Sequence, residues 1–272
     1  MTQPLVSIVI PTYNGEKYIA QAIQSCLDQT HRPLEIIVSD DASTDGTLDI
    51  VRSFMTPDRP IRLIAHEKNL GIVKNAGGAY DQTQGEFVIG LSHDDFLPPH
   101  HVERMLKWFS SDDIGLVHCN AMRIDGDGNE IRFSVKDVEG KIRETQNPMK
   151  ALYVGVMIQS CGLVFRKSAY LAIGGLNESF RHCSEWDTYI RYAEKYKFAY
   201  ATDTYGYYRV HETNITKKLG AEYKEEHEAF IRQCRAKAFA RANFTPLERL
   251  RIRALMAHKK LRVFSRKLRG KA

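Results

Sequence analysis

The sequence is most informative first in what it lacks. It has no apolar run of about 18 residues, so no membrane-spanning helix is expected. The start, MTQPLVSIVIPTYNG, has no basic leader before its first strand-like run, which predicts a chain without a secretory signal. The five cysteines, Cys26, Cys119, Cys161, Cys183 and Cys234, are odd in number, scattered and without a C-x-x-C pair. That spacing argues against a disulfide framework or a cysteine zinc site and predicts a reducing, cytoplasmic setting. The phosphate loop G-x-x-x-x-G-K-[ST], the dinucleotide fingerprint G-x-G-x-x-G after the first strand and the hydrolase elbow G-x-S-x-G are all missing.

What is present is ordinary for a globular chain of 272 residues: 43% apolar residues, without enrichment in glycine or proline. The formal charge of +6 is unevenly placed. Residues 245–272 hold ten Lys or Arg and one Glu, +9 in all, which leaves −3 on everything before them. A main body without net basicity does not fit a nucleic-acid groove.

The first half alternates in period. LVSIVI, LEIIVS, IRLIAH, EFVIGL and IGLVHCNAM are short β-rich runs. Between them, residues 16–29, 43–54, 72–83 and 98–110 carry helical patterns, the last opened by proline. Continuous apolar strands alternating with helices predict a mostly parallel sheet covered on both faces, with ligands at the carboxyl ends of the strands. Further on, RIDGDGNEIRF reads as a hairpin, EWDTYIRYAEKY as an amphipathic helix, FAYATDTYGYYRVH as paired strands and residues 220–271 as two helices.

Polar groups fall where three of the strands end: Pro11-Thr12-Tyr13-Asn14, Asp40-Asp41 and Asp94-Asp95. Asp41 suits either a nucleotide base or a local backbone cap. Two adjacent carboxylates suit a hard divalent cation shared with substrate phosphates, or simply the start of the helix after Pro98-Pro99. Trp186, Tyr205, Tyr207 and Tyr208 suit a sugar-stacking wall or plain strand packing.

The order of these segments resembles the family 2 glycosyltransferases, inverting enzymes of the GT-A fold. VSIVIPTYNGEKYIAQAIQSCLDQT with LEIIVSDDASTDGT is similar to the family's opening, and NLGIVKNAGGAYDQTQGEFVIGLSHDDFLPP to its acidic segment. GGLNESFRHCSEWDTYIRYAEKYKFAY and YYRVHETNIT are similar to its acceptor-side and closing segments.

The resemblance implies a GT-A domain over 1–219, divided into a nucleotide-sugar half (1–122) and an acceptor half (123–219), with a basic helical extension over 220–272. It implies transfer from a nucleotide-diphosphate sugar, UDP-sugar favoured, to a glycan or glycolipid acceptor, assisted by Mn²⁺ or Mg²⁺. Pro11, Thr12, Tyr13, Asn14, Glu16, Asp41, Lys74, Asn75 and Asp94 would then face the nucleotide. Asp95, favoured over Asp94, and His211 would hold the metal, and Arg209 the diphosphate. Glu185 falls at the catalytic-base position, with Asp187 two residues on as the other candidate. A further acid expected before the pair is replaced by Ser92. The departures at Ser92 and Glu185 leave room for a non-catalytic sugar-nucleotide binder. A nucleotidyltransferase is the other rival, with PTYNGEKY as its poor phosphate loop. The basic, leucine-spaced tail predicts peripheral contact with the inner membrane face, or packing on the domain or a partner.

Overall fold

The computed structural model describes residues 3–155, 158–180, 184–215, 222–250 and 252. An eight-stranded sheet runs in the order β3-β2-β1-β4-β7-β5-β6, with β8 paired to β5. The first four strands are β1 (Val6–Thr12), β2 (Leu34–Asp40), β3 (Ile61–Ala65) and β4 (Phe87–Gly90). All four are mutually parallel. β5 (Ile114–Ile124) takes β8 (Lys197–Arg209) in parallel, and β6 (Glu130–Phe133) and β7 (Val164–Arg166) antiparallel.

Side-chain alternation splits the core across this sheet. Ile8, Ile10, Ile36, Val38 and Ile89 point to one face, against α1 (Ile19–Leu27), α2 (Thr47–Phe54) and α4 (His101–Leu106). Val9, Ile37 and Val88 point to the other face. That face is covered by α3 (Ile72–Asp81), α6 (Pro148–Val154), α7 (Lys167–Ala172), α8 (Glu185–Ala193) and α9 (Lys224–Arg241). α5 (Val138–Gln146) lies on β8. Both faces of the parallel part are buried, which is why its strands read as unbroken apolar runs.

Several expectations are corrected. FAYATDTYGYYR is one long strand, not a pair, because β5 pairs it up to Ala201 and again from Tyr205 to Arg209, across an irregularity at Cys119/Asn120. The expected boundary at residue 122 falls inside β5. α5 and α6 occupy a stretch where no helix was expected. Of the two C-terminal helices, α9 packs against α6 and α8, and a second helix occupies 246–250. Most of the basic tail, like His182 and Cys183, lies outside the described residues. The four described cysteines are free and buried.

From β1 the chain moves outward to β2 and β3, then returns to place β4 on the other side of β1. Loops leaving β1 and β4 therefore diverge and leave a crevice at their carboxyl ends.

Candidate active site

Two cavities flank that crevice. One, of ≈ 440 Å³, is polar and lined by Asn14, Lys17, Tyr18, His93, Gly126 and His211 among others. The other, of ≈ 130 Å³, is mostly apolar and runs from Pro11 and Ser92 to Glu185, between Tyr80, Tyr170 and Tyr189.

The β1 loop is held tightly. Asn14 adopts φ +50°, a conformation Asn tolerates. Its Oδ1 accepts from Thr44 N at 2.8 Å. Glu16 Oε2 accepts from Gly46 N at 2.6 Å. Gly15 leaves no room for a side chain, since a Cβ there would lie 2.7 Å from Thr12 Oγ1 and 2.8 Å from His93 Cδ2. Thr12 Oγ1 is buried and has no hydrogen-bond partner among the described residues. Tyr13 is exposed, with 47% of its surface open.

Asp41 and Asn75, both expected at the nucleotide, are occupied by the fold. Asp41 accepts from Leu70 N at 2.6 Å and Gly71 N at 3.0 Å, which fixes the entry to α3. Asn75 Oδ1 accepts from Ser39 Oγ at 2.6 Å and its Nδ2 donates to Ser39 O at 2.9 Å, tying α3 to β2. Lys74, on the same helix, is exposed.

The acidic pair separates into two roles. Asp94 Oδ2 lies 2.9 Å from His211 Nε2 and 3.1 Å from Asn214 Nδ2. Asp95 turns inward, where its Oδ1 accepts from Arg209 N at 2.9 Å. Burial and the neighbouring Asp94 charge push its pKa well above the carboxylate range. The geometry thus puts Asp94, rather than Asp95, beside His211.

Arg209 is not free for a diphosphate. It is buried, its Nε donates to Asp94 O at 2.9 Å, and its Nη1 donates to Asp125 O and Gly126 O, each at 3.2 Å. Its Nη2 donates to Gln21, and its guanidinium lies 4.6 Å from the centre of the Tyr18 ring. Four of five donor hydrogens are spent on holding the β4 loop and the β5–β6 turn together.

Glu185 and Asp187 point apart, as residues two positions along a helix must. Glu185 is exposed to solvent at the mouth of the small cavity, and the protein packed on its cavity side shifts its pKa upward from the ordinary 4.5. Backbone N–H groups of Glu185 and Ser184 oppose that shift only in part. Asp187 is buried in an ion-pair cluster, with Arg191 Nε at 2.8 Å and Lys237 Nζ closer still. Burial raises its pKa, but hydrogen bonds from Lys237 and Arg191 outweigh that and leave it lowered. Trp186 is core, its Nε1 donating to Leu152 O at 2.8 Å.

Lys17, Tyr18 and Asn214 are not singled out by the sequence, and His93, the histidine of SHDD, lines the polar cavity beside His211. Lys17 and Tyr18 sit within the quoted opening motif, but nothing in the spacing shows which of its residues face the cavity. Among the described residues no group of three or more His, Cys, Asp or Glu is arranged to hold a metal. Asp94 and His211 supply a carboxylate oxygen and an imidazole nitrogen facing one another. Two such donors suit a hard cation that takes its remaining ligands from water and phosphate oxygens.

A doubly covered, mostly parallel sheet with an acidic loop at its switch point and a carboxylate in a cavity beside it is the arrangement of a GT-A glycosyltransferase. Residues 7–172 match the family described as Glycosyl transferase family 2, and the chain belongs to that family. It is 32% identical over 226 residues to chondroitin synthase of Escherichia coli, covering 82% of this chain and 32% of that protein. It is 28% identical over 232 residues to hyaluronan synthase of Pasteurella multocida, covering 85% of this chain and 23% of that protein. The chain therefore spans a third or less of the length of these two relatives. S. aureus TarS with UDP-GlcNAc superposes with a TM-score of 0.67 at 19% identity, covering 88% of this chain and 68% of that one. The Pyrobaculum calidifontis mannosyltransferase PcManGT, with GDP-Man and Mn²⁺, gives 0.62 at 18% identity, covering 99% and 83%.

Proposed function

We propose that the chain transfers a sugar from a nucleotide-diphosphate donor to an acceptor hydroxyl, with inversion, and that Glu185 is the general base. The observation that carries this is Glu185, a solvent-exposed carboxylate lining a mostly apolar cavity that reaches Pro11 and Ser92 at the crevice. The acceptor oxygen bonds to the anomeric carbon on the face opposite the diphosphate, and its proton passes to Glu185. The bond from that carbon to the diphosphate oxygen breaks, and its electron pair leaves on the diphosphate. The upward shift of the base's pKa brings it nearer the working pH, where proton abstraction is effective.

Asp94 and His211 would hold a divalent cation, Mn²⁺ or Mg²⁺. When bound, the cation supplies positive charge against the leaving diphosphate. Lys17 lines the same polar cavity and adds a cation there. Thr12 Oγ1 offers an unpartnered hydroxyl beside that cavity. Pro11, Tyr13, Asn14, Glu16 and Lys74 frame the nucleotide side, with Asp41 and Asn75 fixing the loops behind it. Arg209 acts by holding those loops, and Asp95 by anchoring β8 to the acidic loop.

A UDP-sugar is the favoured donor, supported by the UDP-GlcNAc complex of TarS, although GDP-Man in PcManGT keeps guanosine in the comparison. A bacterial surface glycan or glycolipid is the proposed acceptor, supported by the relatives named chondroitin synthase and hyaluronan synthase. The basic tail supports peripheral contact with an anionic membrane.

The deciding experiment compares wild type with Glu185→Gln for donor turnover and for nucleotide-induced thermal shift. The variant is expected to lose at least about a hundredfold in kcat, the low end for a missing general base, with the thermal shift retained. Turnover within threefold of wild type would overturn the base assignment.

A further inference from the structure

A third cavity, a groove of ≈ 690 Å³, lies between β6, the residues leading into α5, and the irregular stretch of β8. We propose that this groove is a binding site for an acidic oligosaccharide, the already-built part of the acceptor, distal to the reacting end. The proposal rests on the reading of the chain as a glycosyltransferase and deepens its acceptor.

Three observations converge. First, the groove has an aromatic floor. Phe133 is 40% exposed and meets Tyr205 edge-on, with ring centres 5.3 Å apart. From there the aromatics continue: Tyr205 to Tyr207 at 5.2 Å, then Tyr207 stacked on Phe96 at 4.2 Å. Phe96 follows Asp95 directly, so an unbroken line of rings runs from the groove to the acidic loop. A pyranose ring has an apolar C–H face and a hydroxyl-bearing rim, and an aromatic ring with a polar handle matches both.

Second, the groove is lined by two unspent cations. Arg132 and Lys136 are exposed, and among the described residues neither makes a side-chain hydrogen bond or ion pair. Arg132 also sits directly opposite Arg123 across the β5–β6 pair, an arrangement of like charges that costs stability without an anion. One acid shares the lining: Asp203, whose Oδ1 accepts from Trp108 Nε1 at 2.9 Å and which keeps its charge, so two cations stand against one carboxylate. The net charge presented to a ligand is positive, and guanidinium with ammonium suits the carboxylates of a uronic-acid glycan.

Third, Tyr200 is part of the lining, is only 4% exposed, and its hydroxyl has no partner among the described residues. A buried hydroxyl left without a bond is costly, so the wall of the groove at Tyr200 carries an unmet polar group that a small shift of the side chain would offer to a ligand.

The test measures binding to the full chain without donor, so that turnover plays no part. The probes are a hexasaccharide of alternating uronic acid and hexosamine, and neutral maltohexaose, titrated calorimetrically. The acidic probe is expected to bind at least tenfold more tightly. Combined Arg132→Gln and Lys136→Gln substitution removes that preference, while Phe133→Ala weakens both probes. The thermal shift given by UDP with Mn²⁺ stays as in wild type in all variants, which shows an intact fold and donor site. The preference also shrinks at 0.5 M salt, where the screening length falls to about 4 Å from about 30 Å at 0.01 M. Equal affinity for the two probes overturns the proposal, as does a preference that survives the double substitution. A Glu185→Gln variant that keeps its turnover overturns the base assignment and leaves the groove standing, so the two failures are separable.

Discussion

Glu185 shows how little of a residue's chemistry lies in its type. Two helix-start acids stand two positions apart, yet one meets an apolar cavity and the other two cations. The consequence for pH is specific. Glu185 works as a base only when deprotonated, so kcat is expected to fall as pH drops through a value raised above 4.5, and a pH–rate profile checks this. Asp187 has the opposite signature. Its folded pKa lies below 3.8, so its stabilisation is complete above 3.8 and lost as pH falls through the lowered value. Asp187→Asn leaves Arg191 and Lys237 without their partner and is expected to cost about 3 kcal/mol, read by denaturant melts. At Gly15 the limit is space. Gly15→Ala is expected to push Thr12 or His93 out of place and to weaken nucleotide binding about tenfold, seen as a smaller thermal shift with UDP.

Between elements, Arg209 is the clearest coupling. It ends β8, yet its donors reach the β4 loop at Asp94, the β5–β6 turn at Asp125 and Gly126, and α1 at Gln21. Arg209→Lys keeps the charge but loses the planar fork, so most of these carbonyls go unsatisfied. A loss of roughly 3 kcal/mol is expected by denaturant melt, together with weaker Mn²⁺-dependent nucleotide binding, because Asp94 loses its anchor. α3 is pinned in the same way through Asn75 and Ser39, so Asn75→Ala is expected to cost about 1–3 kcal/mol.

For the molecule as a whole, the strand order decides where function sits. The reversal at β1 gathers a polar cavity and an apolar cavity at one crevice. Among the described residues no helix is long and apolar enough to cross a membrane. The peripheral membrane contact proposed for the basic tail would be a surface interaction, and deletion tests it. Removing residues 253–272 is expected to abolish sedimentation with vesicles rich in anionic lipid while leaving the UDP thermal shift unchanged. Retained sedimentation would remove the tail from that role.

The alternation of period determined the covered parallel sheet, since an unbroken apolar strand needs helices on both faces. The strand ends placed the polar loops at one edge, and motif order carried the family. The rest depended on contacts between residues far apart in sequence. Nothing in SHDD says that Asp94 turns to His211 while Asp95 turns to the backbone of Arg209, 114 positions away. Nothing in YYRVH says that the arginine is spent on carbonyls. β8 could not be read as one strand because its period is broken where it slips against β5. α5 was illegible because its apolar side is short and half exposed. Local pattern fixes which elements form, but the partner of a buried charge is chosen only when packing brings distant groups together and removes water from between them.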